Sequence, residues 1–459
     1  MSAIITLSLL AILVLYLGLF KANKALLPVS ILGILLAVGF SVYQWNSELI
    51  PLFSGMVLFD NFSIAFSVLM LLLTAMILLL SRDYFKALSD QVAEYYSLIL
   101  FSLTGALIVV SFYNLAMLFI GLEIMSVALY ILAGIRKRDY ASNEASLKYF
   151  LMGAFSTGFL LFGIALLYGA TASFSLEGIQ QYVINSESNI SPLFYTGILF
   201  LIIGLGFKVG AAPFHFWVPD VYEGSPTIMT TFMSTVVKVA SIAAFLRLFW
   251  FCFEPLQDFW VPVLLVMSVL TLFIGNITAM MQQSFKRMLT YSSISHVGYM
   301  LFAIISLDGS SANSIFIYVS AYSLASIIAF AGLIVVKRSY GSEQYEAFNG
   351  LAKRNPLLSL SITIAMLSLA GIPLTMGFIG KFMMFSAALS EYHVVLLILA
   401  VVNAAIGIYY YFRVIVAMYF RSEERVKIEL NFNYKLVLIL AAVLTIIFGL
   451  YPGLISGLI

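Results

Sequence analysis

Fourteen stretches of about 20 mostly apolar residues, joined by short polar connections, limit what this chain can fold into more than any other feature. They lie at approximately 3–20, 26–43, 62–81, 95–112, 114–134, 146–169, 192–216, 227–252, 260–281, 288–307, 313–336, 356–384, 394–419 and 434–456. A helix of that length crosses the hydrocarbon core of a bilayer. In lipid every backbone amide and carbonyl must be satisfied internally, which leaves helices or closed barrels. Barrel strands alternate apolar and polar residues, whereas these stretches are continuously apolar. The chain is 63% hydrophobic and 10% charged, against about 25% charged in an average soluble domain, so a soluble core cannot absorb the apolar surface. The reading is an all-α polytopic membrane protein. Its first stretch lacks a preceding basic segment and a small-residue cleavage site, and Lys21 and Lys24 follow it, so it is expected to be a retained helix.

Cytoplasmic loops carry the excess of Lys and Arg, and here the asymmetry is sharp. Alternate connections hold Lys21 and Lys24; Arg82 and Lys86; Arg136, Lys137 and Arg138; Lys286 and Arg287; Lys337, Arg338, Lys353 and Arg354; and Arg421, Arg425, Lys427 and Lys435. The opposite connections hold acids such as Glu48, Glu177, Glu187, Glu254, Asp258, Asp308 and Glu391, and no Lys or Arg. Fourteen transmembrane helices with both termini outside are therefore expected, since one span more or fewer would scramble the pattern.

Several function classes drop out. A net charge of +2 without a basic run gives no footprint for nucleic acid, so lipid is the expected surrounding. The single cysteine, Cys252, leaves this chain unable to hold a disulfide, an iron–sulfur cluster or a thiolate zinc site alone. Any redox chemistry it serves belongs elsewhere. Gly204, Gly206 and Gly210 have the spacing G-x-G-x-x-x-G with no preceding strand, so they read as helix-packing or helix-breaking glycines and not as a dinucleotide loop. No phosphate-binding loop, metal-ligand spacing or hydrolase triad is visible. Trp45, Trp250 and Trp260 fall at span ends, where an aromatic belt is expected.

Six basic residues lie inside spans: Lys148, Lys208, Lys238, Lys381, Arg247 and Arg413. Lys148, Arg247 and Arg413 lie near enough to span ends for their stems to snorkel to the interface. Lys238, in TTFMSTVVKVASIAAFLRLFW, sits near mid-span, as does Glu123 in LAMLFIGLEIMSVALYILAG. A charge at that depth costs ~2.5–3.5 kcal/mol on insertion scales and usually marks an ion or proton route. Glu123 reads as a proton-relay carboxylate, or as half of a structural ion pair between helices.

Lys208 and Lys381 carry a second signal. In GLGFKVGAAPFHFWVP Lys208 precedes Pro213, and in LAGIPLTMGFIGKFMMF Lys381 follows Pro373. Proline removes a donor and clashes with the preceding turn, so both helices are expected to break or kink at depth, where irregular backbone is tolerated only against protein or water. The alternative is an ordinary proline kink. The broken spans are the seventh and twelfth, an odd offset of five, as an inverted repeat of five plus five helices requires. The expected division is 1–90 for helices 1–3, 91–255 for a first half-channel (helices 4–8) with Glu123, Lys208 and Lys238, 256–425 for a second (helices 9–13) with Lys381, and 426–459 for the last helix. His296 sits mid-span among Ser292, Ser293, Ser295 and Tyr299. It reads either as a proton carrier between the halves or as a satisfied hydrogen-bonding residue. His215, just beyond Pro213, suits an uptake path or a cap, and His393 reads as interfacial.

The segments EASLKYFLMGAFSTGFLLFG (144–163), GFKVGAAPFHFWVPDVYEGSPT (206–227), KRMLTYSSISHVGYM (286–300) and AGIPLTMGFIGKF (370–382) resemble the subunit N family of bacterial NADH:quinone oxidoreductase, respiratory complex I. The resemblance covers nearly the whole chain, including the absence of the C-terminal extension of the longer subunit L. Lys381 stands where sister subunit M usually has glutamate.

The resemblance implies proton translocation from cytoplasm to outside across a bacterial inner membrane, as part of a translocase whose redox chemistry is performed by other subunits. It assigns Glu123 to the helix-five glutamate and Lys208 to the helix-seven lysine paired with it. Lys238 matches the helix-eight lysine, His296 the connecting histidine, Lys381 the helix-twelve lysine on the exit side and Lys148 a helix-six lysine. It implies no cofactor in this chain, with FMN, iron–sulfur clusters and quinone in partner subunits, and neighbours such as subunits M and K. A subunit of an Mrp-type sodium/proton antiporter, the membrane arm of an energy-converting hydrogenase and a passive scaffold remain as alternatives. The scaffold suffers from central charges that cost stability without return.

Overall fold

Each expected stretch becomes helical in the computed structural model, in the order α1 (Ser2–Leu19), α2 (Leu26–Tyr43), α3 (Asn61–Lys86), α4 (Val92–Ser111), α5 (Leu115–Ala133), α6 (Tyr140–Thr171), α7 (Leu176–Ser186), α8 (Pro192–Val209), α9 (Trp217–Gly224), α10 (Thr227–Phe232) and α11 (Lys238–Cys252). There follow α12 (Gln257–Met281), α13 (Phe285–Ser306), α14 (Ser311–Tyr340), α15 (Leu351–Arg354), α16 (Pro356–Ala370), α17 (Met376–Glu391), α18 (Val394–Phe420) and α19 (Phe432–Leu450). The structure describes all residues except 48–50, 87–91, 187–188, 308, 392–393, 424–425 and 458–459, and not the side chains of 387–391. Glu48, Glu187, Asp308, His393, Arg425 and the side chain of Glu391 thus lie outside the described residues. Among the described residues extended pairing is limited to isolated bridges such as Val57 with Phe112.

Among the described residues thirteen helices are long and apolar enough to cross a membrane, with Thr227–Cys252 counted as one. The stretch expected at 356–384 is present as two halves, α16 of 15 residues and α17 of 16, each short of the ~20 needed to span. The seventh stretch likewise ends early: α8 stops at Val209, and after an irregular turn the chain resumes as α9. The eighth runs from α10 to α11 through one π-helical turn, Met233–Val237. Three short helices, α7, α9 and α15, lie outside every expected stretch. Helix α7 is too short to span, and it buries only one stripe, Leu176, Ile179 and Val183, the 3.6-residue period of an amphipathic helix lying against the bundle.

Burial divides the bundle. The apolar window of α14 is wholly buried and those of α10–α11 and α13 nearly so, while α1, α2, α18 and α19 bury a third or less of theirs. The first group forms the core and the second presents apolar side chains outward, as lipid-facing helices do.

Hydrogen bonds between connections define two ends. At one, Tyr84 accepts from Arg136 and from the Thr227 amide, Lys286 donates to Glu223 O and Ser225 O, the Phe285 amide to Glu343 O, Tyr340 to Val426 O, and Asn431 to Asp83. At the other, the Leu58 amide donates to Ser111 O, the Tyr113 amide to Met56 O and the Leu176 amide to Tyr113 O, and Arg247 pairs with Asp60. The Lys- and Arg-bearing connections thus gather at a single end of the bundle.

Two sequence expectations are corrected here. Arg247 does not snorkel: it is buried, 2.5 Å from Asp60, because the loop before α3 folds over it. Trp260 is not in a belt either. It is fully buried, and its indole donates to Phe253 O at 2.8 Å.

Candidate functional site

The first group of buried charges lies between α5 and α8. Asn114 caps α5 by accepting from the Ala116 amide at 2.8 Å, and Glu123, Ser126 and Tyr130 then share one face, three and four residues apart. Oε1 of Glu123 is buried without a hydrogen-bond partner. Ser126 donates to Leu122 O at 2.6 Å, which leaves its oxygen free to accept from Lys208 Nζ at 2.8 Å. The ammonium also lies 5.9 Å from the centre of the Tyr130 ring. Glu123 and Lys208 make no ion pair within 4.0 Å among the described residues. The direct partner of Lys208 on α5 is Ser126, with Glu123 close enough to act on the amine through its charge.

Lys208 owes its position to the end of α8. Gly210 takes φ +77°, a left-handed conformation natural to glycine, and stops the helix two residues after the lysine. The groups freed by the break are taken up: Trp217 Nε1 donates to Phe207 O at 3.1 Å, and the Ala212 amide to Thr271 Oγ1 of α12 at 2.9 Å. Pro213 lies in the irregular turn. His215 follows it, buried, with Nδ1 unpartnered and its ring 4.4 Å from that of Phe216. Lys148 is elsewhere. Half-exposed at the basic end, it holds Glu144 and Asp220, each at 2.7 Å, and so ties α6 to α9.

The second group is strung along α13. Lys238, 2% exposed, comes directly after the π-helical turn, a distortion frequent at functional positions. Its Nζ donates to Ser293 O at 2.6 Å and Ser293 Oγ at 2.7 Å, 5.9 Å from the Tyr322 ring. One turn further, His296 is held on both sides: Nδ1 is 2.5 Å from the Tyr318 hydroxyl of α14, and Nε2 is 2.9 Å from the Tyr411 hydroxyl of α18. Tyr411 also meets Ser292 Oγ at 2.5 Å. Another three residues on, the Tyr299 ring lies 4.9 Å from Lys381 Nζ. From Ser293 to Tyr299 the rise is about 9 Å.

Lys381, 7% exposed, sits in the second turn of α17 and reaches back over the break. Its Nζ donates to Leu369 O at 3.0 Å and Ala370 O at 3.1 Å, terminal carbonyls of α16 that a helix end leaves without intrahelical partners. Gly371 makes this possible. It has φ +82°, and a Cβ there would meet Lys381 Cδ at 2.8 Å and Nζ at 3.3 Å. Pro373 lies in the turn that follows.

The structure therefore brings together Glu123 with Lys208, and Lys238 with His296 and Lys381. The two groups share no hydrogen-bond partner among the described residues. Buried groups without a partner occur along both: Glu123 Oε1, Tyr299 OH and Tyr322 OH. The Tyr322 hydroxyl lies among Ser234, Ser293 and Ser326. Buried polar groups are normally satisfied by protein or ordered water. No three His, Cys, Asp or Glu side chains gather into a metal site among the described residues. Sequence reasoning missed Ser126, Tyr318 and Tyr411. A signal was available, because a tyrosine in mid-span must satisfy its hydroxyl away from the interface that tyrosines usually occupy.

The sequence profile described as NADH:quinone oxidoreductase/Mrp antiporter, TM, matches residues 112–407. NADH-quinone oxidoreductase subunit N of Flavobacterium psychrophilum is 38% identical over the full length of both chains. A chain of respiratory complex I from Thermus thermophilus, solved with bound aureothin, is 33% identical and superposes with a TM-score of 0.85 over 99% of this chain and 98% of that one. A chain of the Mrp complex from Dietzia, 19% identical, covers all of this chain and 96% of its own with a TM-score of 0.87, and shares the fold.

Proposed function

From the premise that the chain belongs to the NADH-quinone oxidoreductase subunit N family, we propose that it moves protons across the bacterial inner membrane through the row Glu123, Lys208, Lys238, His296, Lys381, as the antiporter-like part of a quinone-reducing complex. Flavin, iron–sulfur clusters and quinone belong to its partners, among them neighbouring membrane subunits of the M and K type. The observation that carries the reading is the company of the three lysines. Each amine is nearly inaccessible, and its hydrogen bonds go to hydroxyl and carbonyl oxygens only. A buried ammonium is tolerated when a counter-charge or metal compensates it. These have dipoles alone, so whether each keeps its proton responds to any charge that moves nearby.

The chain's own groups then act in sequence. A proton from the basic end reaches Lys208, whose occupancy rises when Glu123 swings toward it and falls when Glu123 swings away. Release passes it by way of water to Lys238. Ser293 offers that amine two acceptors and stands one turn from His296. The imidazole, flanked by two hydroxyls, accepts on one nitrogen and donates from the other, which hands the proton toward Lys381 and the outer side.

Repeated packing order supports two inverted halves. Helix α4 packs on α5, α5 on α6, α6 on α8, and α11 closes on α4; α12 packs on α13, α13 on α14, α14 on α16, and α18 closes on α12. The gathering of basic connections at one end supports a cytoplasmic assignment for that end and termini outside.

The test is NADH-driven proton uptake in inside-out membrane vesicles. With assembly verified, Lys208→Ala abolishes uptake attributable to this subunit. Full proton-to-electron stoichiometry in that variant would remove Lys208 from the path.

A further inference from the structure

Several basic side chains at the cytoplasmic end are held by protein partners, and what sets three of the others apart is that they meet at one place. Arg136 pairs with Asp139, Lys148 with Glu144 and Asp220, Arg287 with Glu223 and Lys337 with Glu343. Lys286 is spent on two carbonyls, Arg413 on Gln282 and Gln283, and the Arg354 guanidinium lies over the Tyr340 ring. Three cations are different. Lys24, from the α1–α2 connection, and Arg82 and Lys86, from the end of α3, converge with Asn23 on one concavity of about 290 Å³. Among the described residues none of them is in an ion pair and no carboxylate lines the concavity. The acid beside Arg82 in sequence, Asp83, is turned to Asn431 at 2.5 Å.

The floor is not that of a solvated loop. It is formed by Leu27, Val92 and Tyr96, of which Val92 and Tyr96 are buried, with Tyr96 hydrogen-bonded to Ser81 at 2.9 Å. Directly beside it the last residues of α1, Leu19 and Phe20, are 73% and 80% exposed, and Leu32 and Leu36 of α2 are about 60% exposed, giving an outward apolar wall. Three positive groups over a small polar and apolar cup, bordered by an outward apolar wall, match one chemistry: a phosphodiester carrying lipid tails.

We propose that Lys24, Arg82 and Lys86, with Asn23, form a site for the headgroup of an acidic phospholipid, its tails laid along α1 and α2. Guanidinium and ammonium donors suit phosphate oxygens, and basic pockets between membrane helices on the cytoplasmic side are suited to anionic headgroups. The three cations lie on the three-helix N-terminal segment, while Val92 and Tyr96 of the floor open α4 of the first half, and none of the lining residues belongs to the relay row.

The experiment uses the intact membrane complex purified in mild detergent, with phosphatidylglycerol or phosphatidylcholine added and bound lipid counted by native mass spectrometry. Each cation near an anionic surface contributes about five-fold, so replacing all three by Gln is expected to weaken phosphatidylglycerol binding roughly 100-fold, with phosphatidylcholine unaffected. Lys24→Arg with Lys86→Arg is expected to retain binding. If the triple variant fails to assemble, Lys24→Gln and Lys86→Gln singly are each expected to show a loss of about five-fold. Unchanged phosphatidylglycerol occupancy in the Gln variants would overturn the proposal, and so would equal binding of phosphatidylcholine. Displacement of the lipid by inorganic phosphate alone would assign the cup to a free anion. Loss of a neighbouring subunit with lipid occupancy intact would make it a protein contact.

Discussion

Replacing Tyr411 by Phe tests the His296 bridge between Lys238 and Lys381 with almost no change in volume. The hydroxyl removed is the partner of His296 Nε2 at 2.9 Å and of Ser292 Oγ at 2.5 Å, both inside the bundle. A neutral imidazole has one donor and one acceptor nitrogen, and the hydroxyls of Tyr318 and Tyr411, each able to donate or accept, hold it from both sides in either tautomer, so the ring is fixed in orientation. Without Tyr411 one ring nitrogen and one serine oxygen are left unsatisfied, at about 1–3 kcal/mol for an orphaned buried group. That cost falls on the held orientation of His296 and not on the helices, which keep their apolar contacts. At 1.4 kcal/mol per factor of ten, the positioned ring becomes about 5- to 150-fold less populated. If His296 carries every proton passing from Lys238 to Lys381, proton uptake through this subunit falls by at least about five-fold, while NADH oxidation by uncoupled membranes stays near normal. The assay is the ratio of initial proton uptake to NADH oxidation in inside-out vesicles, with Tyr410→Phe as control, since Tyr410 bonds Asn276 and not the histidine. An unchanged ratio in Tyr411→Phe and in the double variant with Tyr318→Phe would refute the bridge and return His296 to a structural role.

Three further substitutions separate relay from scaffold. Glu123→Asp is expected to retain more proton uptake than Glu123→Gln, because the carboxylate charge and not the hydrogen-bonding capacity is what Lys208 senses; equal activities would contradict this. Gly371→Ala forces a side chain into φ +82° and against Lys381, at about 1–2 kcal/mol for the left-handed conformation alone. Thermal unfolding in detergent should show that loss, together with impaired uptake. Arg247→Ala breaks a buried pair with Asp60 and is expected to cost about 3–5 kcal/mol, read as reduced assembly with normal proton stoichiometry in the complexes that do form.

How much of this was legible in the sequence follows from what a single side chain announces. The spans were legible because an apolar run in lipid has one solution, and both breaks were visible through Pro213 and Pro373. The depth of Lys208, Lys238 and Lys381 followed from their position in the runs. Partners were not legible. Nothing local says that Lys208 would meet Ser126 before Glu123, since that depends on the register of α5 against α8. Arg247 looked like a snorkelling residue because Asp60, nearly two hundred positions earlier, is joined to it only by the fold. The π-helical turn before Lys238 has no proline or glycine to betray it: MSTVV reads as ordinary helix.

Both broken spans set a lysine beside a helix end that stops inside the bundle, by different routes. Lys208 belongs to the last turn of the first half of its span, just before Gly210, with its amine turned to Ser126 of α5. Lys381 stands in the second half of its span, ten residues after Gly371, yet its amine returns to the last carbonyls of the first half, where the helix dipole contributes about half a negative charge. A break at this depth therefore does more than interrupt packing. It supplies fixed partial charge where a carboxylate would hold the proton too firmly and bare hydrocarbon would never admit it. If the halves are inverted, the two carbonyl ends point toward opposite membrane surfaces, so one faces uptake and the other release. A break repeated in inverted orientation is what a one-way path through a single chain requires. Gly371→Ala should accordingly impair proton transfer by displacing the Lys381 amine from its helix end, whereas a Cβ at Gly210 meets Val218 and should act only through the strained φ of the turn.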